Sequence, residues 1–321
     1  MRSSRARFLR GTGAALAASA FAPAARAADL LPLTIAAIPS DISGEAFYAH
    51  ELGFFKKAGI DAKLTPLNNG ASIAAAVAGG SANVGYSNVV SLAAAHERGL
   101  PFTILAPANL HVQGAPTAGI LAVKKSSPIQ SAKDLTGKTV AVIGLNNIAH
   151  VATRLWIDKN GGDSGAVKFL ELPFSEMSPA VVAGRVDAAA LDAIGDPTAG
   201  KPDDPIRRLG STFDAVGARF APSVWFSTTE WVASHPRESR SFVAVMRETA
   251  KWANGHHKES AQILTRYAHQ TLEGIQAVTR ATFGDRMTPE LIQPDIDAAA
   301  KYGAIKAAFP AADIISPVAN S

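Results

Sequence analysis

Short polar residues recur in this chain where a turn gives way to a helix. Ser40-Asp41, Asn69-Gly70-Ala71-Ser72, Ser87-Asn88, Asn146-Asn147 and Ser178 each precede a run of helix-forming residues. The first turn of a helix leaves backbone N–H groups unpaired and carries partial positive charge, so several starts converging on one cavity suit an anionic ligand. Any single one of these residues is also an ordinary N-cap, and the functional reading rests on their convergence. His150 can hydrogen-bond a ligand, or cap and pack its own helix. Tyr48 and Trp225, with Phe226 beside it, offer rings for stacking, although aromatic side chains default to core packing. Asp41 and Asp192 would repel an anion unless they orient Arg, Lys or ligand donors; they could instead accept from an amine such as an aminopyrimidine. The candidate ligand-binding set is Ser40, Asp41, Tyr48, Asn69, Gly70, Ser72, Ser87, Asn88, Asn146, Asn147, His150, Asp192 and Trp225.

Catalysis has no comparable support. The chain contains no cysteine, which excludes disulfide staples, thiolate metal sites and thiol nucleophiles. No G-x-S-x-G, H-E-x-x-H, P-loop or G-x-G-x-x-G motif stands in a fitting strand–helix context. His256-His257 lie in a polar, Lys-flanked segment and read as solvated. The expectation is a small-molecule binder with no cofactor, no metal and no catalytic residue.

The elements that position these residues come in two similar sets. Residues 75–88 run Ala-Ala-Val-Ala-Gly-Gly-Ser-Ala-Asn-Val-Gly-Tyr-Ser-Asn, and residues 179–192 run Pro-Ala-Val-Val-Ala-Gly-Arg-Val-Asp-Ala-Ala-Ala-Leu-Asp. Each reads as an Ala/Val-rich helix stopped by glycine, a turn residue (Asn83, Asp187), and a short apolar strand ending in a polar residue (Asn88, Asp192). Around them, Leu33–Ile38, Ile60–Leu64, Lys138–Ile143 and Val167–Leu170 read as strands, with helical stretches up to Lys57 and over His150–Lys159. Strand–helix–strand–helix–strand thus occurs twice, which indicates an α/β protein with two lobes. In such sheets ligands sit beyond the carboxyl ends of the strands, so Asn88 and Asp192 are expected on opposite walls of one cleft.

The first 27 residues read as a leader. Arg2, Arg5, Arg7 and Arg10 form a basic head, Gly11–Ala25 an apolar stretch of small residues, and Ala25-Arg26-Ala27 an A-x-A cleavage signal. Ser4–Arg10 is similar to a twin-arginine export motif with Ala6 in place of one arginine. The formal charge of +4 falls to −1 once the five leader arginines are removed, so a nucleic-acid partner has no electrostatic footprint. A soluble, periplasmic, monomeric protein beginning at Ala28 is expected.

The chain resembles the periplasmic substrate-binding proteins of nitrate, sulfonate, taurine and pyrimidine-precursor uptake systems. Gly53-Phe54-Phe55-Lys56-Lys57-Ala58-Gly59-Ile60 is similar to that family's early helix end. Ser131 to Val142 matches its "S-x-x-D-L-x-G-K-x-V-A-V" entry to the second lobe. Both halves of the internal echo, and the turn from Gly144 to Ala149-His150, complete the likeness. One departure stands out: Ala193-Ile194, followed by Asp196-Pro197, replaces the Glu-Pro common after the second-lobe strand. The resemblance implies a two-lobed periplasmic binding protein type II fold, each lobe a mainly parallel sheet flanked by helices. It also implies an ABC transporter permease as partner. On this reading lobe I comprises residues 28–115 and 217–321, and lobe II residues 116–216. The crossings fall near Ala115–Ile120 and Thr212–Ala218, and Gly195–Pro205 is a surface loop. The expected function is capture of a small organic anion (a sulfonate, aromatic carboxylate or relative) by lobe closure. The alternatives are a sensor feeding a signalling partner and a binder of an aminopyrimidine-type precursor.

Overall fold

The computed structural model describes residues 30–115, 118–192, 204–268 and 270–321. The expected leader and most of the expected 195–205 loop lie outside these residues, as does the departure at 193–197.

The strands in chain order are β1 (Leu31–Ala37), β2 (Ile60–Pro66), β3 (Val84–Asn88), β4 (Phe102–Pro107), β5 (Asn109–Val112), β6 (Ala118–Lys124), β7 (Thr139–Val142), β8 (Lys168–Glu171), β9 (Ala188–Asp192), β10 (Ile206–Ser211), β11 (Arg219–Phe220), β12 (Ser223–Thr228) and β13 (Thr282–Phe283). The helices are α1 (Gly44–Glu51), α2 (Phe54–Lys57), α3 (Gly70–Ala78), α4 (Val89–Glu97), α5 (Ile148–Lys159), α6 (Phe174–Val182), α7 (Thr229–Ser234), α8 (Pro236–Gly255), α9 (His257–Leu264), α10 (Leu272–Gln276) and α11 (Gln293–Lys301).

One sheet has the order β2-β1-β3-β12-β4, and the other β8-β7-β9-β6-β10. In both, three neighbouring strands run parallel and the fourth is reversed, pairing antiparallel on both sides. The sheets are therefore mixed, mainly parallel, and built to one plan. The reversed strand is in each case the one the chain forms on arriving from the other half: β6 after β5, and β12 after β11. The two crossing segments pair with each other, Arg219 opposite Val112 and Phe220 opposite His111, and β13 joins on the far side of β5.

The internal echo has a physical basis in this plan. The Asn83 side chain accepts from Thr34 N at 2.7 Å, and the Asp187 side chain accepts from Thr139 N at 2.9 Å. Each turn residue thus satisfies a backbone donor on the strand beside it, just before Ile35 pairs with Val84 in one lobe and Val140 with Ala188 in the other. Gly80 and Gly184 carry the left-handed turns that end the two helices, at φ 73° and 71°. Likewise Ser131 and Asp134 form a reciprocal capping box ahead of β7, which explains that stretch of the recognised motif.

One expected helix start is displaced. α6 begins at Phe174, so Ser178 lies inside it, buried, with Pro179 next. Ser178 read as the residue before the helix, but burial of Met177, Ala180 and Val181 against the lobe II sheet carries the helix back through Pro179, at the loss of one N–H donor. In α8, by contrast, Pro236 does sit in the first turn, and Phe242, Val245 and Met246 are buried on one face.

Candidate functional site

A cavity lies between the lobes, with about 660 Å³ of empty space that includes open solvent at its mouth. Its walls are mostly apolar: Ile38 and Ile42 after β1, Ile143, Ile148, Ala190 and Leu191 from the second lobe, and Phe174 and Phe213. Polar residues enter at a few points, namely Tyr86, Ser87, Asn88, Asn109, Asn147 and Ser223. No charged side chain lines it among the described residues.

Four helices begin at this cavity. Gly70 opens α3, Asn88 caps α4, Asn147 caps α5, and Phe174 opens α6. The caps are made as the sequence predicts: Asn69 accepts from Ser72 N at 2.9 Å, Asn88 from Ser91 N at 2.9 Å, and Asn147 from His150 N at 3.1 Å. Helix starts aimed at one enclosure supply an electropositive field without a formal cation.

The thirteen candidate residues divide accordingly. Gly70, Ser87, Asn88 and Asn147 line the cavity itself. Asn69 and Asn146 line hollows that adjoin it. Ser40 and Asp192 bond to each other across the lobes, Oγ donating to Oδ2 at 2.8 Å. Asn88 also reaches across, accepting from Ile148 N at 3.3 Å. Both strand-end residues therefore face the other lobe.

The remaining candidates are placed elsewhere. Asp41 is buried and takes a two-pronged contact from Arg280, 3.0 Å from Nε and 2.7 Å from Nη2, with Ala281 N at 2.6 Å. Tyr48, fully buried, donates to Asp41 at 2.7 Å and accepts from Arg280 at 3.0 Å. Burial works against the Arg280 charge, yet Asp41 holds its pKa above the ordinary value. Trp225 is fully buried, its indole N–H donating to Glu45 Oε2 at 2.7 Å, and it packs on Tyr86 and Phe242. Core packing has claimed both rings. Glu45 itself is pushed well above the carboxylate range by burial, which outweighs the indole bond. Ser72 is exposed and serves the α3 cap.

His150 does not line the cavity; it braces the turn that does. Its Nδ1 accepts from Asn146 N at 3.0 Å, and its ring meets Phe169 edge-on at 4.4 Å. Asn146 has φ 54°, a left-handed backbone at a non-glycine residue, which needs such local support. Leu145 N donates to Glu171 Oε1 at 2.5 Å, holding the same turn. Burial, with Arg154 nearby, lowers the His150 pKa to about 4 against the opposing pull of Glu171. The imidazole is therefore neutral at pH 7 and its lone pair is available.

Sequence reasoning missed Tyr86, Asn109, Phe174, Phe213 and Ser223. Asn109 and Phe213 sit on the crossings, outside both repeats, and nothing local in the sequence marks them. Tyr86 and Ser223 bond to each other at 2.8 Å from strands 137 residues apart.

A second set of contacts joins the lobes at their rim. The Arg154 guanidinium lies over the Tyr302 ring at 4.9 Å and donates to its carbonyl at 3.0 Å, while the Tyr302 hydroxyl donates to Asp158 at 2.8 Å.

Residues 43–260 match the family described as NMT1/THI5 like. That span exceeds half of the chain, and the chain belongs to this family. No curated protein matches it. Among solved structures, the aliphatic sulphonate binding protein SsuA of Escherichia coli matches at TM-score 0.70 and 16% identity, over 89% of this chain and 92% of that one. SsuA of Xanthomonas axonopodis, bound to MOPS, gives TM-score 0.73 and 16% identity, over 90% and 99%. The nitrate-binding protein NrtA of Synechocystis gives 0.74 and 13%, over 90% and 87%. At these identities the likeness shows the shared two-lobed fold.

Proposed function

We propose that this chain is the substrate-binding component of an ABC import system, exported to the periplasm, and that it captures a small organic anion by closure of its two lobes. The observation that carries the ligand class is the convergence of four helix starts on a cavity that no charged side chain lines among the described residues. The anionic group would sit among those starts, and an apolar or aromatic body between Phe174, Phe213 and the isoleucines. The family and the solved binding proteins of the same fold support delivery to a permease. Asp41 does not oppose the reading, because Arg280 occupies it.

A thermal-shift screen of sulfonates, aromatic carboxylates, nitrate, taurine and aminopyrimidines tests it. A ligand at hundredfold excess over its Kd stabilises by about 2.7 kcal/mol, which raises Tm by several degrees. An anion should give that shift and be recovered unchanged by mass spectrometry. Shifts from amines alone would overturn the anion assignment. Recovery of an altered compound would overturn the binding-protein reading.

A further inference from the structure

We propose that the ligand carries an N–H or O–H donor in addition to its anionic group, and that the Asn109 carboxamide selects for that donor. The inference rests on the organic-anion reading above and narrows it. Asn109 is 1% exposed, lines the cavity, and its Oδ1 has no hydrogen-bond partner. Most donors around it are spent elsewhere: the Asn88 amide N–H goes to Ser91 Oγ at 2.9 Å and the Ser87 hydroxyl to Asn88 O at 3.4 Å. Tyr86 donates to Ser223, Asn88 Oδ1 accepts from Ser91 N and Ile148 N, and Asn147 Oδ1 accepts from His150 N.

Nor can Asn109 readily move to find a partner. β5 is held on one side through its pairing of Asn109 with Phe283 and on the other through Phe220 with His111. The preceding residue is fixed too: Ala108 N donates to Ser223 O at 3.0 Å, and Gly284 N donates to Ala108 O at 3.0 Å. A buried acceptor without a donor is costly, and native structures almost always supply one. A simple anion such as nitrate or an alkanesulfonate brings only acceptors and would leave Oδ1 orphaned. A hydroxyl, amine or ring N–H on the ligand body would satisfy it. The neighbouring Ser223 hydroxyl accepts from Tyr86, which leaves its own proton for a ligand oxygen. The cavity floor thus sets a donor beside an acceptor.

The test is calorimetric titration of the full chain with matched probes: benzoate against hydroxybenzoate and aminobenzoate, and ethanesulfonate against hydroxyethanesulfonate and taurine. Within at least one series the donor-bearing member should bind about tenfold more tightly, the size expected for satisfying one buried acceptor. Asn109→Leu should collapse that preference to under about twofold. Equal affinities within both series would overturn the proposal while leaving the anion reading intact. So would an Asn109→Leu variant that weakens both members equally, since the amide would then act as a donor to the anion. Binding of no probe in either series, with aminopyrimidines binding instead, would overturn both readings. If the variant does not fold, the wild-type comparison within each series decides.

Discussion

Two buried side chains illustrate how charge is handled at the scale of single residues. Arg280 and Asp41 are nearly inaccessible, at 7% and 4% side-chain exposure, and each answers the other. Arg280→Met should therefore cost about 3–5 kcal/mol, because it strands a buried carboxylate; urea unfolding at pH 7 measures this. Asp41 read as a ligand contact because it stands with Ser40 at a helix start. Its true partner is 239 residues away, a separation that no local reading spans. The asparagine caps, by contrast, were legible, since their partners lie three residues downstream. His150 yields a prediction whose sign follows from its lowered pKa. Its folded value of about 4 lies below the unfolded 6.5, so the unfolded chain binds the proton first. Its contribution is complete above pH 6.5 and is lost as pH falls toward 4. His150→Asn, which keeps an acceptor but does not titrate, should flatten that part of the stability–pH profile relative to wild type. An unchanged profile would show that the imidazole is not the group responsible.

Among the elements, the echoed helix–turn–strand units were the clearest signal in the sequence, and they occupy equivalent places in the two sheets. Their equivalence should be energetic as well as geometric. Asn83→Ala and Asp187→Ala each remove the acceptor for one strand N–H, and each should cost about 1–3 kcal/mol. Because they lie in different sheets, their effects should add within about 0.5 kcal/mol in the double variant; denaturant midpoints provide the check. Strand pairing beyond the repeats was less legible. β5 and β11 are short, and each is completed by a partner distant in sequence, so periodicity could not announce them. Asn109, on β5, went unread for the same reason. α6 was misplaced by a turn because Ser178 read as a cap, whereas burial of Met177 and its neighbours carries the helix back to Phe174.

At the scale of the molecule, Tyr302 adds rim contacts between the lobes to those of Ser40 with Asp192 and Asn88 with Ile148 N. It offers a ring and carbonyl to Arg154 and a hydroxyl to Asp158. Tyr302→Ala should lower the population of the closed form and weaken apparent affinity in proportion. Loss of one to two such contacts predicts a change on the order of threefold to thirtyfold. Small-angle scattering should show a larger radius of gyration without ligand, and calorimetry the weaker binding. An unchanged radius with unchanged affinity would mean that the rim contacts do not set the closure equilibrium.

The reversed strand in each sheet has a consequence in time. All five strands of the β8-β7-β9-β6-β10 sheet lie between residues 118 and 211, in one uninterrupted stretch of chain. The β2-β1-β3-β12-β4 sheet begins at residue 31 yet lacks β12, its fourth strand, until residue 228 has emerged. A chain appearing from its N-terminus therefore finishes its middle before its beginning. Through that interval β3 waits with one edge unpaired, and β4, whose only strand partner in the sheet is β12, waits with both. Such edges are open to pairing with another chain, and a factor that shields nascent segments would have most to do there.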